Sequence, residues 1–303
     1  MVIVCAVATA PVYQGYSMVQ IIAACAVPIL LLVVGIWLIN KYVPAFFEIR
    51  GTLSPGAAAG LQMAGPVLLI TLWQAICLTG WIGPKILPHP LAVIQALPEL
   101  HFKDALVRNL MYSCSLNGAG YIEAVAVCLP LGIVIGLFPL FNEMFTKPVN
   151  SIRAIPLTAC TGLFMEWFGI DNLMKIQFLS FGIIVYLLPV VVQRTREAPA
   201  VYQQTAFTLG ATKWQMLRTV FWPYVRSTII LDIAVLVAIS WTYIIIAEMM
   251  NNTGGIGAML YGSARAGRID KTFALLFIIV GVVYIQDKIF VGIDKLLNPQ
   301  KYA

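Results

Sequence analysis

Long apolar runs separated by short clumps of charge dominate the chain. Seven can be drawn, over about 18–40, 61–83, 110–139, 152–168, 173–192, 220–248 and 272–292. Each is long enough for a helix to cross hydrocarbon, which takes about 17–25 mostly apolar residues. The longest stretches between them, 84–109, 193–219 and 249–271, are too short to build a separate core. Pro130, Gly132, Gly136, Gly182 and Pro189 fall inside the runs. Neighbouring helices can re-satisfy the backbone at such positions. The first 17 residues carry no charge and so lack the basic region of a signal peptide. The 18–40 run is therefore expected to be a retained helix with its N-terminus outside.

Lys and Arg positions orient the spans. With the segment between the fifth and sixth runs inside, twelve of the 19 Lys and Arg residues fall inside and seven outside. Arg194, Arg196, Lys213 and Arg218 of the 193–218 segment supply four of the twelve. Composition agrees with a bilayer. Hydrophobic residues make up 60% and charged residues 11%, against roughly 25% charged in a soluble domain. The net charge of +6 forms no basic stripe, so nucleic acid is not an expected partner. The six cysteines form no CxxC pair, and His89 and His101 lack ligand-spaced partners, so no metal site is expected.

Enzyme motifs are missing. The string nearest to a phosphate loop, Gly262 to Arg268, has Arg268 in place of the lysine and no Ser or Thr after it. No GxSxG, HExxH or paired-carboxylate arrangement stands out. This chain is not expected to hydrolyse ATP or to hold a cofactor.

The polar segment 193–226 is the most informative. Pro199 suits a first helical turn, predicting a helix over 199–209 that Gly210 stops. Thr212 is a candidate N-cap for a second helix over 213–222, with Trp214, Leu217, Val220 and Phe221 on one face. Two short helices at an angle make a knob that fits a groove in a partner, or an amphipathic loop on the membrane surface.

The spacing in this segment resembles the cytoplasmic loop motif EAA-x3-G-x9-I-x-LP of binding-protein-dependent ABC importer permeases. It falls on Gln204, Thr205, Ala206, Gly210, Val220, Trp222 and Pro223, with Gln204, Thr205 and Trp222 departing from the usual residues. Arg153-Ala-Ile-Pro156 with Trp167-Phe168-Gly169 resembles the RxxP and WFG strings of the nitrate/sulfonate/taurine (bicarbonate) group. Ala247-Glu248-Met249 with Gly254-Gly255-Ile256-Gly257 resembles the AEM and GxG strings of the same group. Near Leu116 the group often carries an arginine that this chain lacks. The resemblance implies an all-α integral membrane protein with a six-helix, type I, MetI-like core over 61–295. Residues 1–60 would add a helix and linker, and 296–303 a tail. It also implies a coupling loop at 193–223 docking on separate ABC ATPase subunits, which bind ATP and Mg. A second permease copy, a periplasmic or lipid-anchored binding protein and the bacterial inner membrane complete the expected setting. The expected cargo is a small nitrate-, sulfonate- or taurine-like anion.

Three carboxylates, Glu123, Asp232 and Glu248, lie within apolar runs, where a charge costs roughly 2.5–3.5 kcal/mol. Ser113, Arg153, Pro156, Asp232 and Glu248 are the candidate path or gate residues. For the carboxylates, interhelical hydrogen bonding is the competing reading. The alternative function is an ion- or proton-coupled secondary transporter using Glu123 or Asp232, which predicts an inverted repeat. A membrane scaffold explains none of the ordered motifs.

Overall fold

The computed structural model describes Trp37 and residues 55–78, 82–250 and 254–301. The expected 18–40 helix lies outside the described residues except at Trp37. Among the described residues regular structure is helical throughout. The described residues divide into two compact units, those up to 99 with 266–274, and those from 100 to 265 with those from 275 on.

In the first unit, helix α1 (Pro55–Leu78) is long and apolar enough to span a membrane. The Trp73 indole donates to the Pro88 carbonyl at 3.0 Å and packs against Phe273, ring centroids 5.7 Å apart. Helix α2 (Pro90–Phe102) carries Glu99, which receives Arg268 at 2.9 Å and Lys271 at 3.2 Å. The bond from Arg268, followed by that from Lys271, holds the Glu99 carboxyl down at about 2.

The second unit is organised by α3 (Leu106–Leu137) and α6 (Asn172–Arg196). A Cβ on Gly120 would stand 2.9 Å from Leu179, one on Gly132 2.6 Å from Val191, and one on Gly136 2.7 Å from Thr195. The two numberings rise together, so the helices run parallel, backbone against backbone. Small residues allow this approach, and dispersion replaces the hydrophobic drive that lipid cannot supply.

Parallel neighbours force the chain between them to cross back. It does so along α6 in pieces. Helix α4 (Pro139–Ile152) is followed by a break, a 3-10 turn over Leu157–Cys160 and the eight-residue α5 (Thr161–Phe168). Arg153 reaches the Tyr186 carbonyl, Leu157 lies against Gly182, and Phe164 packs on Phe178 and Phe181. The expected continuous span over 152–168 is therefore a broken crossing. Pro156 disfavours a helical Ile155 before it, and Gly169 ends α5 at φ +76°.

The second helix of the knob also differs from expectation. Helix α8 (Lys213–Met216), a π turn over Leu217–Phe221 and α9 (Trp222–Met250) form one 38-residue run. Trp222 N–H bonds the carbonyl five residues back, at Leu217. The wide turn leads into Pro223, which has no N–H to give and whose ring crowds an ordinary α turn. The buried positions become Met216, Phe221 and Val225, at spacings of five and four, while Trp214 stays exposed. Helix α9 runs antiparallel to α3 and α6: Ser113 and Tyr121 meet Glu248 and Ile233, and Tyr186 and Arg194 meet Tyr243 and Asp232, so the numberings run in opposite senses. Helix α10 (Ile256–Arg265) and α11 (Ile269–Leu297) complete the described helices. Five helical runs among the described residues have the length and apolarity to span, at 58–77, 106–137, 172–196, 213–250 and 269–297.

Two outcomes test this packing. Gly132→Leu must push its side chain into Val191 and is expected to cost about 1–3 kcal/mol. Gly118→Leu, whose Cβ meets nothing within 4 Å, should leave thermal unfolding in detergent unchanged or raised. The Glu99 cluster gives a pH signature. Its stabilisation is complete above the unfolded carboxyl value of about 4.3, and is lost as pH falls through the folded value of about 2. The gap in thermal midpoint between wild type and Glu99→Gln should thus close progressively on acidification over that window.

Candidate functional site

At the end of the second unit opposite the knob, three elements meet at Glu248. Its side chain is fully buried, and Ser113 donates to Oε1 at 2.6 Å while the Gly257 N–H donates to Oε2 at 2.8 Å. The Ser113 hydroxyl accepts the Ile256 N–H at 2.9 Å, and Asn109 Oδ1 accepts the Gly255 N–H at 2.9 Å. Three successive amides at the start of α10 are thereby satisfied by side chains from α3 and α9. The first amides of a helix have no partners within it, which is why this end needs such a clamp. Gly254 and Gly255 take φ of +134° and +98°, and a Cβ on Gly255 would stand 2.3 Å from the Glu248 carboxyl. At Gly255 the carboxylate occupies the space a side chain would need. Buried Lys175 reaches the Tyr112 hydroxyl at 3.4 Å, and that hydroxyl also bonds Asn172.

The other candidates lie elsewhere. Asp232 accepts two parallel bonds from one edge of Arg194, at 2.7 Å from Nε and 2.9 Å from Nη2. A third nitrogen of Arg194 donates to Glu197 at 2.9 Å. Glu123 accepts the Gln177 amide at 2.9 Å. Arg153 and Pro156 stand at the break in the crossing. Ser113 and Glu248 are thus brought together, while Asp232 and the break are separate sites. Asn109 and Arg194 escape sequence reasoning, because their partners lie 146 and 38 residues away. A polar residue inside or at the end of an apolar run was the one available signal.

The knob is built from tight local stops. Pro199 precedes α7 (Ala200–Thr208). Gly210 at φ +74° lets its own N–H bond Phe207 and the Ala211 N–H bond Ala206, a Schellman close. Thr212 and Gln215 cap each other, side chain to backbone, as a capping box. Gln204 and Thr205 are exposed and Ala206 and Val220 half-buried. Phe207, Leu209 and Trp214 project with more than half their surface open. A rigid frame presenting bare aromatic and aliphatic groups suits docking.

The clamp yields a prediction. Glu248→Ala strips partners from two buried donors and should cost about 1–3 kcal/mol for each one left unsatisfied. Glu248→Gln should cost less, and hydrogen exchange at Ile256 and Gly257 should rise in the order wild type, Gln, Ala. Unchanged protection in Glu248→Ala would remove the clamp from consideration.

Residues 128–300 match the model of the binding-protein-dependent transport system inner membrane component family. The aliphatic sulfonates transport permease protein SsuC of Bacillus subtilis is similar at 27% identity over 71% of this chain and 79% of its own. The taurine transport system permease protein TauC of Escherichia coli is similar at 23% over 79% and 89%. The nitrate import permease protein NrtB of Synechococcus elongatus is similar at 21% over 77% and 87%. Among solved structures, a chain of the inward-facing MetNI methionine ABC transporter superposes with a TM-score of 0.57 at 19% identity, covering 63% of this chain and 95% of that one. The chain belongs to the family of binding-protein-dependent transport system inner membrane components, and it is the permease component of an ABC importer.

Proposed function

We propose that the chain works in the bacterial inner membrane as one of two identical permease copies. Separate ATPase subunits dock on residues 199–222, and a binding protein delivers solute from the outer side. Hydrolysis, ATP and Mg belong to the ATPases, and this chain holds no cofactor of its own. The inner side is the one bearing Arg194, Arg196, Lys213 and Arg218. The observation that carries the reading is the knob, a doubly capped rigid frame with exposed Phe207, Leu209 and Trp214. ATP binding would draw the ATPases together and move this frame, shifting the spans between outward and inward openings.

The cargo is a small oxyanion such as a sulfonate or nitrate. Relatives named for aliphatic sulfonates, taurine and nitrate support that class. So does the pairing of carboxylates that would otherwise repel an anion. Asp232 is matched by Arg194 and Glu248 is enclosed by Ser113 and Gly257. That pairing also leaves the secondary-transporter alternative without a free carboxylate at Asp232.

Gly210→Asp tests docking. Its Cβ meets nothing within 4 Å, and Asp tolerates the left-handed conformation better than most residues. The variant should fold with a modest loss of thermal stability, about 1 kcal/mol for giving up glycine at this left-handed position, yet lose an ATPase that co-purifies with the wild type from detergent-solubilised membranes. Wild-type protein that is well folded and recovers no ATPase overturns the importer assembly.

A further inference from the structure

The break in the crossing opens a cavity of about 420 Å³ between α4 and the last turns of α6. Its polar wall holds Thr146, Asn150, Arg153, Gln193, Arg196 and Glu197, and Ile135, Val149 and Val192 line the apolar remainder. Two of the three charged side chains are arginines, and the acid is already engaged. Glu197 accepts Gln193 at 2.8 Å and Arg194 at 2.9 Å. The arginines are not engaged in the same way. Arg153 makes one long bond, 3.4 Å, to the Tyr186 carbonyl, and Arg196 one of 3.4 Å to the Asn142 amide oxygen. Among the described residues neither has a carboxylate within ion-pair distance. Each guanidinium has five N–H donors, and both exposed side chains line the cavity with most of this capacity unspent among the described residues. The Thr146 hydroxyl in the same wall is buried without a partner among the described residues.

The field at this position has two contributions. The carbonyl end of α6 disfavours an anion, and charge on its last turn opposes that effect. With Arg194 matched by Asp232 and Glu197, the surplus at the cavity rests on Arg153 and Arg196. We infer that this cavity binds the oxyanion group of an alkanesulfonate-class solute, its headgroup on Arg153 and Arg196 and its short stem on Val149 and Val192. Resting on the anion-importer reading above, the site would be the last stop before release on the inner side. Planar guanidinium groups suit a trigonal face of oxygens, because two parallel N–H bonds fit it at once.

The test uses the full-length chain purified with its ATPase, with ethanesulfonate as probe and ethyltrimethylammonium as cationic control. Isothermal titration should show ethanesulfonate binding and no binding of the cation. Arg153→Gln and Arg196→Gln should each weaken it at least about tenfold, the effect of one lost charged bond. Lysine at either position should recover part of the affinity. Arg265→Gln, a basic position outside the cavity, should bind like wild type. A phosphate headgroup offers the same oxygens, so thermal stability is also read in nanodiscs of neutral lipid and of lipid containing phosphatidylglycerol. Stabilisation by phosphatidylglycerol that both Gln variants lose, without ethanesulfonate binding, overturns the solute assignment in favour of lipid. Binding unaltered in both Gln variants overturns the site. A wild-type complex that retains its ATPase and takes up a cation or neutral solute refutes the anion site alone. Absence of the ATPase refutes the importer reading instead.

Discussion

The close parallel contact of α3 with α6 is the constraint from which the rest of the second unit follows. Three glycines let the two backbones meet where any Cβ would collide with Leu179, Val191 or Thr195. Adjacent parallel helices cannot be joined by a short loop, so residues 138–171 must traverse the unit in reverse. The traverse is not a full helix. It occupies the remaining surface of α6, and its broken middle places Arg153 level with Tyr186 and leaves a cavity at one end. Irregular backbone at membrane depth is tolerated where it is covered by protein or lines a wet space.

A second constraint is the cost of polar groups in an apolar surround. It accounts for the pairings among the carboxylates within the helical runs. Glu248 answers the amides of a helix start, Asp232 answers a guanidinium, and Glu123 answers an amide. Each pair joins different helices, so satisfying the charge also fixes the packing. At the knob end the same economy recurs. The Tyr224 hydroxyl bonds the Glu197 carbonyl, and buried Asp294 and Asn298 hold the end of α11 beside Ser227. The base of α9 is therefore tied to α6 and α11 next to the knob.

Much of this was legible in the sequence, and the gaps have physical causes. The long spans follow from apolar length alone. Gly210 and Thr212 are readable as a stop and a cap because both act within a few residues of themselves. The break at Pro156 was masked by the apolarity of 152–168, since hydropathy records partition into lipid and not helix continuity. The π turn was hidden for the opposite reason. Pro223 reads as a terminator, yet a widened turn carries the helix through it. For the polar residues, sequence gives the cost of burial without the partner. Glu248 was flagged as costly, but its meeting with Ser113 and Gly257 exists only after three elements pack. The buried Lys175 reads in sequence as a loop charge, because it lies near the start of its run.

Stiff and soft parts of the unit are distributed in a way that bears on coupling. The run from Lys213 to Met250 is unbroken and, at 1.5 Å per residue, about 57 Å long. Under the proposed docking, a displacement of the knob would be carried along this run toward the Glu248 clamp. The Arg194–Asp232 pair ties α6 to the same run, and the glycine contact ties α3 to α6. What is left to yield is the crossing. Between Arg153 and Cys160 its backbone bonds, from Ala154 to Ser151, Ile155 to Ile152 and Ala159 to Pro156, each span only three residues. Segments held by few, short-range bonds open at the lowest free energy. The element best able to change shape when the knob moves is thus the one that forms the wall of the arginine cavity.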